Sequence, residues 1–155
     1  MNSALGPPGS PPDDMEDLSI PLLVKLAGGM AMVTGAFTIG LAIQTSLIFR
    51  MSGRIPAILA AMVILGIAAV VTGWGTVQGR GTSAIAAAAM SGLVAVLGTA
   101  WAITGFLSGV FSPLSFAVVV FATGAAVLVG IAIAPARKVS AARERLRAQG
   151  YDFGL

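Results

Sequence analysis

The stretch SAIAAAAMSGLVAVLGTAWAITGFL, Ser83 to Leu107, holds no charged residue. A hydrocarbon core about 30 Å thick needs about 20 apolar residues in helix, so the stretch is long enough to cross one. It is nonetheless built mainly of alanine and glycine, where lipid favours leucine and isoleucine. The small residues fall in phase: Ala84, Ala88, Ser91, Ala95, Gly98, Ala102 and Gly105 recur at alternating steps of four and three. That spacing averages about 3.5 residues per turn and keeps one seam turned to a neighbouring helix. Met90, Val94, Leu97 and Trp101 lie about a third of a turn away and carry the bulk. Within lipid, helices gain little from hydrophobic association, so close backbone approach and dispersion contacts drive pairing. The few large apolar residues of the stretch together contribute only about −2 to −4 kcal/mol of insertion. It is a weak anchor alone, expected to be surrounded mostly by protein: its own three partners or other subunits.

The whole chain has the same character. Of 155 residues, 57% are hydrophobic and 10% charged, against roughly 25% charged in soluble domains. The N-terminus, MNSALGPPGSPPDDMEDLSIP, is acidic where a signal peptide needs positive charge, so the first apolar segment is expected to stay in the mature protein. There is no cysteine and no histidine. Disulfides, thiolate chemistry, haem held by histidine and the commonest zinc and copper ligand sets are thereby excluded, and no cofactor or metal is expected.

Working outward from the opening stretch, three further apolar segments appear. Residues 1–18, rich in Pro, Gly, Ser and acid, read as a flexible tail. Ser19 is a reasonable N-cap with Pro21 in the first turn, and spans are expected over about 20–49, 55–77, 83–107 and 114–134, with Pro135 ending the last. The connections RMSGR, QGRGT and SGVFSP are short, so neighbours should lie antiparallel. The expected fold is an all-α integral membrane protein, with residues 19–135 forming a four-transmembrane-helix up-down-up-down bundle. Small residues also line the first helix (Gly28, Ala31, Gly35, Thr38, Ala42, Thr45), and Ala122, Ala126, Gly130 and Ala134 step by four along the last. These rows are the candidate helix-packing residues. Steps of four favour right-handed crossings and alternating four and three left-handed ones.

Orientation follows from the basic residues. Lys25, Arg80 and the five that follow Pro135 fall on one side, against Arg50 and Arg54 on the other. The positive-inside rule makes both termini cytoplasmic, in what the Ala, Gly and Arg bias suggests is a bacterial inner membrane. Trp74 and Trp101 should sit at opposite interfaces. Residues 136–155 form a basic cytoplasmic segment, helical to Gln149 and stopped by Gly150. Arg137, Lys138, Arg143, Arg145 and Arg147 face the membrane surface there, where each adds about 1 kcal/mol of attraction to anionic headgroups. A stop signal with lipid as its only partner accounts for the same residues. The pI of about 10.2 therefore points to the lipid bilayer, not to nucleic acid.

Chemistry is sparse. No ionisable group lies between Leu26 and Phe49 or within the three later spans, and such groups are the usual markers of ion pathways and proton relays. Gln44 is the one amide at depth, a possible polar intramembrane contact, most simply a bond between helices. Thr72, Thr76, Thr99 and Thr104 should bond back to their own helix carbonyls. No nucleophile has a base, and GTVQGRG lacks the lysine of a phosphate loop. The chain reads as a non-catalytic structural or accessory subunit of a larger membrane complex, assembling with other membrane subunits or with itself. The alternative is an oligomeric small channel or carrier, for which polar residues are few.

Overall fold

A computed structural model describes residues 19–48, 56–109 and 112–148. The expected tail at 1–18, the RMSGR turn, the middle of the SGVFSP turn and the stop at Gly150 lie outside the described residues. Within them are four helices: α1 Leu22–Ile48, α2 Pro56–Val77, α3 Gly81–Leu107 and α4 Pro113–Ala148. All four are long and apolar enough to cross a membrane.

Local chemistry sets their ends. α1 starts just after Pro21, whose carbonyl accepts from the Val24 and Lys25 amides at 3.0 and 3.3 Å; a proline costs nothing where the amide would be unpaired anyway. α2 closes on Gly79, at φ +75°. The Gly79 amide donates to Thr76 O at 2.8 Å and the Arg80 amide to Gly75 O at 3.1 Å, the paired bonds of a Schellman stop that need a left-handed residue at this position. Ser112 opens α4, and its carbonyl accepts from the Ser115 amide and hydroxyl.

α4 departs from the sequence reading. It runs straight through Pro135 to Ala148, 36 residues in all, a rod of about 54 Å at 1.5 Å per residue. A proline inside a helix costs about 3 kcal/mol. Here packing outweighs that cost: the buried row Val118, Ala122, Ala125, Val129, Ala132 continues past the proline as Ala136, Val139, Ala142 and Leu146. Val139 sits over Gly79 together with Ile20, and Ala136 belongs to the same core as Val24, Ala27, Ala84 and Ala132. The basic segment is thus the end of α4 and not a separate helix, and its apolar side is covered by the protein.

α1 is central. It touches the other three helices, most extensively α2, while α3 packs chiefly on α4. α3, expected to be surrounded mostly by its own partners or by other subunits, is no more buried within this chain than α2 or α4, because its outer face carries Val96, Phe106 and Leu107 at 68, 74 and 80% exposure. The residue sizes are inverted relative to a water-soluble protein. The core is largely alanine, with Ala27, Ala31, Ala69, Ala84, Ala87, Ala122, Ala125 and Ala132 all at 0% exposure, while Leu22, Leu47, Ile64, Val71, Phe116 and Ile131 lie outside.

Candidate functional site

Two places combine unusual residues with defined geometry: the seam between α1 and α2, and the basic end where α4 meets the α2–α3 turn.

At the seam, two glycine pairs let backbones touch. A methyl group built on Gly28 would stand 2.6 Å from Gly73 O, and one on Gly73 would stand 2.8 Å from Gly28 O. The second pair repeats this: a methyl on Gly66 would meet Gly35 O at 2.8 Å, and one on Gly35 would collide with Gly66 O. Any side chain would force the helices apart, since real methyl groups keep more than 3 Å from such oxygens. The partners in each helix are seven positions apart, so both pairs fall on one face. Numbers rise in α1 as they fall in α2. Ala31, Thr38, Ala42 and Thr45 are buried on the same side of α1. Gly28 and Gly35 stood out in the sequence, whereas Gly66 and Gly73 did not; the shared spacing of seven was the available signal.

The other small rows are placed differently. On α3, Ser91 and Gly98 are buried, while Ala88, Ala95 and Ala102 are half-buried at the flank of a seam completed by Ala84, Ala87 and Val94. Gly98 approaches α4, where a methyl would stand 3.3 Å from Val118 Cγ1. On α4, Ala122 is buried and Ala126 half-buried, but Gly130 and Ala134 face outward and a methyl on Gly130 would meet nothing within 4 Å. A step of four drifts off a contact line that follows 3.6 residues per turn. The buried line of α4 alternates three and four instead.

Polar groups are mostly self-satisfied. Thr34, Thr38, Thr72, Thr76, Thr99 and Thr104 each donate to the carbonyl four residues earlier, at 2.7–2.9 Å, which is the expected back-bonding. Ser91 Oγ, fully buried, has no hydrogen-bond partner among the described residues. Gln44 Oε1 accepts from Ser112 Oγ at 3.2 Å, tying the end of α1 to the start of α4. An apolar cavity of about 440 Å³ opens beside Leu41, Met62, Leu65, Gly98, Trp101 and Val118. Trp74 is more than half exposed, and Trp101 half-buried in this cavity's wall.

No family model matches the chain, nor does any curated protein or solved structure. Its chemistry must be read from its own residues.

The basic end supplies the rest. Arg143 donates from a terminal nitrogen to Gln78 O at 2.7 Å, closing a free carbonyl just past the end of α2, where a cation also suits the helix dipole. Arg137 packs against Gly81. Lys138, Arg145 and Arg147 are exposed, as is Arg137. Between the turn and α4 lies a cavity of about 350 Å³ whose polar lining is Arg80, Thr82, Ser140, Arg143, Glu144 and Arg147. The four α4 residues lie at i, i+3, i+4 and i+7, one face of the helix. Three of the five sequence-singled cations, Arg137, Lys138 and Arg145, do not line it. Arg80 does, though it was notable in the sequence only for its sign.

Proposed function

We propose that this chain is an integral membrane protein acting as a non-catalytic structural or accessory subunit, a helix-packing scaffold within a larger complex. The inverted size distribution carries the reading: alanine and glycine inside, leucine, isoleucine and phenylalanine outside. In water that arrangement forfeits the burial of its largest side chains, about 1.5–3 kcal/mol each. In lipid it costs nothing, and small interior faces are what bring helices close. The opposed numbering at the α1–α2 seam and the short turns support an up-down-up-down bundle. The cations at the α2–α3 turn and on α4 support cytoplasmic termini, in keeping with a bacterial inner membrane.

The outward-facing Gly130 and Ala134, with the exposed face of α3, offer surfaces for other membrane subunits or a second copy. A channel or carrier finds less support, because the cavity among the helices is apolar and its hydroxyls, Thr38 and Thr104, already bond to carbonyls. Purification of the tagged chain in mild detergent, with identification of everything that accompanies it, tests the proposal. Stoichiometric membrane subunits of other kinds are the expected result. A homogeneous homo-oligomer that passes ions or solutes in vesicles would replace the scaffold reading with the channel or carrier.

A further inference from the structure

We propose that the cavity between the α2–α3 turn and α4 is a phosphate-binding site, filled by the headgroup of an anionic phospholipid or by a soluble phosphate. The inference rests on the membrane reading of the helices, which puts this cavity at headgroup depth, and not on the accessory-subunit reading. Three arginines, Arg80, Arg143 and Arg147, line one volume of about 350 Å³ against a single acidic residue, Glu144. That volume falls in the range of small-ligand sites, about 300–1,000 Å³. Guanidinium is the side chain whose forked donors match phosphate oxygens.

One of the three arginines is held in place before any ligand arrives. Arg143 spends one of its donors on Gln78 O at 2.7 Å, which fixes the group at the cavity wall and leaves its other donors. Gly81 admits α4 closely, since a methyl there would stand 3.0 Å from Ser140 Oγ. Arg80 makes no side-chain cap to α3. The first intrahelical bond of α3 runs from the Ala84 amide to Arg80 O, so the amides of Gly81, Thr82 and Ser83 precede the ladder and add donors of the same sign. A stop signal made of charge alone has no use for a shared cavity. In that case any cation on α4 should matter equally.

The test uses the full-length protein purified in a neutral detergent and mixed with phosphatidylglycerol or phosphatidylcholine, with bound lipid counted by native mass spectrometry. Phosphatidylglycerol should be retained in preference to phosphatidylcholine. Arg80→Gln and Arg147→Gln should each weaken retention about fivefold, the factor for one cation near an anionic headgroup. Arg80→Lys should recover part of the loss, while Arg145→Gln and Lys138→Gln, outside the cavity, should change it by less than twofold. Melting in phosphatidylcholine alone, unchanged in Arg80→Gln, separates a lost ligand from a damaged fold. If 10 mM inorganic phosphate raises the melting temperature without anionic lipid and Arg80→Gln abolishes that rise, the ligand is the soluble phosphate. Equal losses for Arg145→Gln and Arg80→Gln, or no loss in Arg80→Gln, would overturn the site while leaving membrane insertion and subunit partners untouched.

Discussion

Neighbouring glycines of α1 make opposite demands. Gly28 has the Gly73 backbone 2.6 Å from where its methyl would be, while Gly29 has nothing within 4 Å. Gly28→Ala should therefore lower the detergent melting temperature, by the equivalent of about 1–3 kcal/mol of overpacking, and Gly29→Ala should leave it level or raise it through helix propensity. Equal effects at the two positions would mean that the seam is looser than the close pairs imply. Ser91 offers the reverse test. A buried hydroxyl without a partner costs about 1–3 kcal/mol, so Ser91→Ala should melt higher than the parent. Thr38→Val, which removes a bond of 2.8 Å to Thr34 O, should not. Gln44→Leu loses the link to Ser112, and a membrane hydrogen bond averages about 0.6 kcal/mol. Assembly and any activity of the complex should survive it; a collapse of transport in a well-expressed Gln44→Leu protein would speak for the channel reading.

The elements were legible to different depths. The starts and ends of α2 and α3 could be read within two residues, because glycine and proline chemistry acts locally at Pro56, Gly79 and Gly109. The phase of α1 was legible too, since every member of its small row is buried. The passage of α4 through Pro135 was hidden: the proline's cost is visible in the sequence, but the contacts of Val139 with Gly79 and Ile20 join distant segments. The same holds for the phosphate cavity, whose Arg143 meets Gln78 across 65 positions. If α4 is one rod held by that packing, Pro135→Ala should melt at or above the parent. Val139→Asp should fall well below it, by about 2 kcal/mol or more for a charge placed in a buried apolar contact. A marked loss in Pro135→Ala would show that the ring itself, and not the row of buried residues, shapes α4.

At the scale of the molecule, the orientation is testable at two exposed residues, Thr82 in the first turn of α3 and Ser108 just past its end. An impermeant thiol reagent applied to intact cells should label Ser108→Cys and spare Thr82→Cys, and the opposite pattern would invert the protein in its membrane. The alanine core has a consequence for how such a protein can be damaged or probed. Most of its fully buried positions have almost no side chain to remove, so truncating mutations act mainly on the exposed residues and open few voids. Enlarging mutations, by contrast, strike the interior at once. In an alanine scan of this chain the interior would answer at few places, the close glycine pairs and the scattered buried Val24, Leu41, Val118, Val129 and Leu146; a leucine scan would strike it throughout, tracing α1 as the line of greatest intolerance.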